Sequence, residues 1–149
     1  DNPKECVKCH ATCDTCSSTT ATTCKTCDSS TPFLHLQSGQ TEGECKSDSG
    51  SNNGCQTGYY SVGTNQCDQC DSSCSLCSST TSTDCTGCPS TYSLHFETSS
   101  DTSGQCFSDA AQNTGCQDGY YSTGEAMCTK CDTSCKYCDG TAVNQCTTC

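Results

Sequence analysis

All 22 cysteines of this 149-residue chain lie on one repeating grid, and that regularity limits what the chain can become. Cys6, Cys67 and Cys128 are each 61 positions apart. The same spacing relates Cys9 to Cys70 and Cys131, Cys13 to Cys74 and Cys135, and Cys16 to Cys77 and Cys138. It also relates Cys24 to Cys85 and Cys146, Cys27 to Cys88 and Cys149, Cys45 to Cys106, and Cys55 to Cys116. Gly54-Cys55-Gln56-Thr57-Gly58-Tyr59-Tyr60-Ser61 returns as Gly115-Cys116-Gln117-Asp118-Gly119-Tyr120-Tyr121-Ser122. Leu34-His35-Leu36 returns as Leu94-His95-Phe96, one residue out of step, and the grid recovers before Cys106. Fixed-period self-similarity marks a tandem architecture, here two repeats and part of a third.

A conventional core cannot be built from the remainder. The chain has four Leu, three Val, three Phe and no Ile, about 7% of its residues, against the roughly 20% below which chains stay disordered. Order must therefore come from cross-links, each worth roughly 2–4 kcal/mol. Cysteine at this density in disulfide form belongs to an oxidising compartment, so the expected location is extracellular or on a cell surface.

Charge narrows the partners. The net charge is −11, with six Lys and no Arg, so nucleic-acid backbones and anionic lipid surfaces are repelled. No apolar run approaches the roughly 18 residues of a membrane span, and no signal peptide is visible. The start at Asp1 reads as a processed or trimmed chain whose anchor, if it has one, lies elsewhere.

Between cysteines the filler is 23 Ser and 25 Thr, with neither helical nor strand periodicity sustained for long. Cysteines spaced this closely leave no room for a helix of about 10–12 residues. The long gaps, Cys27 to Cys45 and Cys88 to Cys106, each hold one short apolar–polar–apolar stretch followed by Ser, Gly and Thr. Each reads as a hairpin with a polar tip. The fold class is thus small and disulfide-rich, mostly β-hairpins and turns with little helix, an elongated tandem-repeat rod without a conventional hydrophobic core.

Counted from Cys9, the unit is C-x3-C-x2-C-x7-C-x2-C-x17-C-x9-C, then a Gly-Tyr-Tyr turn, then an eighth cysteine at Cys67. This order resembles the furin-like cysteine-rich repeat of growth-factor-receptor ectodomains and R-spondin-type ligands. Its Ser/Thr-rich filler is most similar to the surface-protein arrays of ciliates and related protists. The resemblance divides the chain into an N-terminal tail or end of a preceding module (1–8), repeat 1 (9–67), repeat 2 (70–128) and a partial repeat 3 (131–149). Eight cysteines allow about 105 pairings, and spacing does not choose among them. The resemblance implies first–third, second–fourth, fifth–sixth and seventh–eighth. That gives Cys9–Cys16, Cys13–Cys24, Cys27–Cys45 and Cys55–Cys67, then Cys70–Cys77, Cys74–Cys85, Cys88–Cys106 and Cys116–Cys128. Repeat 3 keeps Cys131–Cys138 and Cys135–Cys146. Under this scheme Cys6 and Cys149 are unpaired within this window, and bonds this local imply modules that stack end to end.

Several motifs match a chemistry as well as a plain structural role. Nine C-x2-C pairs could present thiolates to zinc, but the three His sit off the main grid or in apolar stretches, which favours disulfides over a thiol metal site. A thioredoxin-like reading lacks a βαβ context. Cys6-Val7-Lys8-Cys9-His10 matches the C-x2-C-H haem-attachment pattern, yet the grid equivalents of His10 are Asp71 and Asp132. His35 and His95 alternate with apolar residues and are expected on a solvent or inter-module face. The acidic residues form no calcium loop, and no Ser/His/Asp or Cys/His set recurs, so the expectation is a non-enzyme without cofactors or metals.

Tyr59, Tyr60, Tyr120 and Tyr121 are the largest side chains repeated on the grid, hence the candidate contact residues. In each pair one ring is expected to cover a disulfide. The other lies on the surface or makes an inter-module or inter-chain contact. No N-x-Ser/Thr sequon exists, and the N-x-Cys triplets at Asn53, Asn65 and Asn144 each use a grid cysteine. O-linked sugar is more plausible, on Ser17 to Thr23 and Ser78 to Thr83. The leading expectation is a structural coat or filament protein that self-associates or continues into a longer array. The alternatives are a growth-factor-receptor-like or ligand-like protein-binding module and a thiol metal-binding protein.

Overall fold

A computed structural model describes residues 6–47, 54–108, 116–124 and 126–149. Most of the 1–8 tail, and also Asn53 and Gly115, lie outside these. The chain divides into two compact units, Asp1–Gln69 and Cys70–Cys149.

The first unit opens with β1 (Cys13–Cys16) and β2 (Cys24–Cys27), an antiparallel pair. It continues through β3 (Phe33–Leu36), β4 (Glu44–Lys46), β5 (Tyr59–Gly63) and β6 (Gln66–Gln69), a sheet of order β4-β3-β6-β5. The β3–β4 pair is the hairpin expected in the long cysteine gap, in the register Leu34 to Cys45. A second hairpin joins β5 to β6, with Ser61 opposite Cys67. The two hairpins meet along β3 and β6, which run parallel with His35 beside Cys67.

The second unit repeats this plan. Here β7 (Leu76–Cys77) pairs with β8 (Cys85–Gly87). A sheet of order β10-β9-β12-β11 is built from β9 (Ser93–Phe96), β10 (Gln105–Phe107), β11 (Tyr120–Gly124) and β12 (Met127–Lys130). A third short pair, β13 (Tyr137–Cys138) and β14 (Cys146–Thr148), completes the unit. Between them lies a single 3-10 turn, Val143–Gln145, the one helical segment among the described residues. In that loop the Gln145 side chain accepts a bond from the Ala142 amide at 3.1 Å.

Ten disulfides hold these strands. They are Cys9–Cys16, Cys13–Cys24, Cys27–Cys45 and Cys55–Cys67, with Cα atoms 5.1–5.8 Å apart. Then come Cys70–Cys77, Cys74–Cys85, Cys88–Cys106, Cys116–Cys128, Cys131–Cys138 and Cys135–Cys146. These are the partners that the furin-like resemblance implies. The sequence separations run 7, 11, 18, 12, repeat as 7, 11, 18, 12, and end 7, 11. Cys6 and Cys149 are free and exposed.

The interior is correspondingly sulfurous. Leu36 and Leu94 are the only buried aliphatic side chains among the described residues, and the rest of the apolar interior is cysteine. The structure corrects the expectation of a solvent or inter-module face for His35 and His95, which are 3% exposed and lie against a tyrosine of their own sheet. A lone hairpin would leave one face open. Here a tyrosine ring covers that face, while parallel pairing with β6 or β12 closes the open edge of the hairpin. Gly43 and Gly104, just ahead of β4 and β10, let the chain pass close to β3 and β9, because a Cβ on either would stand 1.9 or 2.1 Å from the histidine carbonyl oxygen.

Candidate functional site

Three recurring local arrangements can carry contacts. The first is the turn after the first cysteine of each repeat, Cys9, Cys70 or Cys131. In repeats 2 and 3, Asp71 and Asp132 accept bonds from the Ser73 and Ser134 hydroxyls at 2.7 and 2.6 Å and from the same residues' amides at 2.9 Å. Those bonds hold both carboxyls below the usual carboxylate range, the serine hydroxyl being the main cause. His10 occupies the same grid position. Its Nδ1 lies 2.9 Å from the Thr12 hydroxyl, and its carbonyl accepts the Cys13 amide as Asp71 accepts that of Cys74. The C-x2-C-H match thus marks a turn cap, an imidazole standing where the other copies use a carboxylate.

The second arrangement is the His–Tyr face of each sheet. Tyr59 packs its ring on His35 with centroids 4.4 Å apart, and Tyr120 packs on His95 at 4.5 Å. Each pair borders a shallow cleft. The first, about 340 Å³, is lined by Thr22, His35, Gln37, Gln40, Glu42 and Tyr59 among others. The second, about 240 Å³, is lined by Thr83, His95, Glu97, Asp101, Phe107 and Tyr120 among others. In the first, Glu42 and Glu44 pair with Lys25 and Lys46 at 3.6 and 3.3 Å.

In the second cleft Glu97 bridges two groups. It accepts from the Tyr120 hydroxyl at 3.2 Å and pairs with Lys130 Nζ at 2.5 Å. The Lys130 ammonium holds the Glu97 carboxyl below its ordinary value, and Glu97 raises Lys130 in return. Tyr120 is pushed up, first by burial and then by the Glu97 charge.

The third arrangement is the Gly-Tyr-Tyr turn, resolved within the second unit. Gly119 sits at φ +85°, where a side chain is strained. Its carbonyl accepts the Cys131 amide at 2.8 Å, and its own amide donates to the Lys136 carbonyl at 2.8 Å. Tyr121, half-buried, packs against the cluster of Cys131, Cys135 and Cys138, alongside Cys146. Asp118 faces Lys136 at 3.6 Å. The two tyrosines therefore divide the work. Tyr120 lies on the histidine of its own repeat, and Tyr121 covers the disulfides of the next. In the first unit Tyr60 is pushed up by burial and by the Asp68 charge.

Sequence reasoning located these tyrosines but missed the Glu97–Lys130 pair, whose partners stand 33 positions apart, just past β9 and at the end of β12, where no local pattern connects them. Among the described residues, no group of three or more His, Cys, Asp or Glu is arranged to hold a metal. No helix among them is long and apolar enough to cross a membrane. Comparison with family models and with curated proteins gives no match to this chain.

Proposed function

We propose that this chain is a non-catalytic structural segment of an extracellular or cell-surface array, a disulfide-stapled repeat rod of furin-like type that builds a coat or filament. The observation that carries this reading is the recurrence of the whole cross-link set, pair for pair, in successive repeats. A catalytic chain needs a singular preorganised pocket, whereas the His–Tyr cleft recurs with the repeat. Heavy cross-linking over a minimal core suits exposure to proteases in an oxidising space.

The reading includes O-linked glycans on the exposed Ser/Thr loops. Thr19 and Thr80 are exposed there, while the neighbouring Ser79 and Thr81 hydroxyls donate to Asp84 at 2.6 and 2.5 Å. The test is to image the native protein at its source. Immunogold electron microscopy should place it in a regular external coat or fibre. Label dispersed over the cytosol would overturn the reading.

A second reading, a protein-binding module of growth-factor-receptor or ligand type, is favoured by one observation. The Glu97–Lys130–Tyr120 cluster belongs to repeat 2 alone, with Gln37, Gln69 and Tyr59 at the matching positions of repeat 1. Capture of one defined partner that Lys130→Gln abolishes would support it over the structural role.

A further inference from the structure

The Gly-Tyr-Tyr turn seats the following module in the second unit, and the first module carries the equivalent seat with its Cys9 and Cys16 only half-buried. We propose that the outer face of the first knot, Cys9–Cys16 with Cys13–Cys24, is the docking site for a Gly-Tyr-Tyr turn from a preceding copy of this repeat, and that residue 14 selects which turn it accepts. The inference rests on reading the chain as part of a tandem array, and names the surface and partner through which that array continues.

The occupied seat defines what is needed. Two backbone bonds at 2.8 Å tie Gly119 to Cys131 and Lys136, and the Tyr121 ring lies over the knot sulfurs. Under that cover Cys131 is 6% and Cys138 1% exposed. The grid equivalents in the first knot are Cys9, Asp14 and Cys16. The two bonds there have the same separations, 7 and 11, and Cα distances of 5.8 and 5.1 Å against 5.8 and 5.2 Å in the occupied seat. The two knots therefore share one cross-link geometry. Their states differ: Cys9 and Cys16 are only half-buried, and the Cys9 amide makes no such bond among the described residues. A sulfur-lined apolar face with an unused donor beside it is what the turn covers elsewhere in this chain.

Charge supplies the selectivity. Lys136 faces Asp118 at 3.6 Å in the occupied seat. Asp14 stands at the Lys136 position, exposed, so a turn carrying Asp before its glycine would set two carboxylates against each other. The complementary turn carries Lys at that position, and a neutral residue such as the Thr57 of the first turn is intermediate.

The test extends the chain by one repeat. A copy of residues 68–128 replaces residues 1–6, so that its last cysteine falls on the Cys6 position. Three versions carry Asp, Thr or Lys at the copied Asp118. Amide exchange at Cys9 is followed by NMR, beside the unextended chain, after non-reducing peptide mapping has verified the disulfides. Cys9 should become protected as Cys131 is, in the order Lys, Thr, Asp, with on the order of threefold between the extremes for so exposed a pair. Asp14→Lys should reverse that order. A correctly cross-linked extended chain whose Cys9 amide exchanges as in the unextended chain overturns the joint, while leaving the array reading to stand. Equal protection in all three versions overturns the role of residue 14. Protection already present in the unextended chain would also overturn the proposal, because the face would be covered by something else.

Discussion

The His–Tyr faces of the two repeats share one backbone and differ in almost every interaction around it. In repeat 2 the ring of Phe107 adds a second aromatic contact to His95 at 4.9 Å, and Glu97 ties Lys130 to Tyr120. In repeat 1 the equivalents are Lys46, Gln37 and Gln69, and an ionic contact forms along β4 instead, where Lys46 meets Glu44. The sheet order and the strand register are nevertheless the same in both. When covalent bonds set the register, side chains around them are free to change chemistry without changing the fold. In a chain held by hydrophobic packing, exchanging Phe for Lys beside a buried ring would cost several kcal/mol, about the whole margin of a small domain.

Reduction should therefore erase both faces together, and it is the largest effect expected. Circular dichroism of the fully reduced chain should show loss of the strand signal. Retention in strong reductant would mean that side-chain packing, not sulfur, holds the sheets.

The histidines come next. Removing a fully covered ring from so small an interior should cost about 2–4 kcal/mol, with His95→Ala costing more than His35→Ala because Phe107 loses its contact as well. Chemical unfolding of the two variants with disulfides intact reads the difference. Equal, negligible costs would show these rings to be passengers.

These histidines also mark the limit of what the sequence reveals. The cysteine grid, the long-gap hairpins and the scarcity of helix are legible because each is local or periodic. The furin-like resemblance supplied the pairing, which spacing alone left open. The burial of His35 was not legible, since alternation within a hairpin cannot report a second hairpin, arriving later in the chain, whose Tyr59 ring covers that face. The Glu97–Lys130 pair was hidden for the same reason. Of the tyrosines, the repeated pair was visible, and the division of labour between Tyr120 and Tyr121 required the strands to be placed.

A smaller contrast lies in the β-hairpin turns. Asn65 and Ala126 both adopt left-handed backbone, at φ 61° and 54°. Asn tolerates this region and Ala does not, so Ala126→Asn should stabilise repeat 2 by about 0.5–1 kcal/mol. Asn65→Ala should do the reverse to repeat 1. Thermal unfolding of the pair tests the symmetry.

The smallest expected effect is electrostatic. Because Glu97 is depressed in the fold, its contribution is present above the ordinary value of 4.5 and is lost as pH falls through the lowered one. Lys130 is raised, so its contribution is full below 10.5 and is lost as pH rises through the higher value. Tyr120, raised above 10.0, favours the neutral ring and adds to the alkaline loss. Glu97→Gln, which makes repeat 2 like repeat 1, should flatten both limbs while changing stability near neutrality only slightly, as expected of an exposed pair. An unchanged pH profile would remove Glu97 from the comparison.

The central claim, that equivalent covalent bonds fix equivalent folds, is tested most directly by peptide mapping of the native protein without reduction. Cys27–Cys45 and Cys88–Cys106 should be recovered as matching links, with Cys55–Cys67 and Cys116–Cys128 beside them and no free thiol between Cys9 and Cys146. Different partners for Cys27 and Cys88, or a free thiol inside either eight-cysteine block, would contradict it.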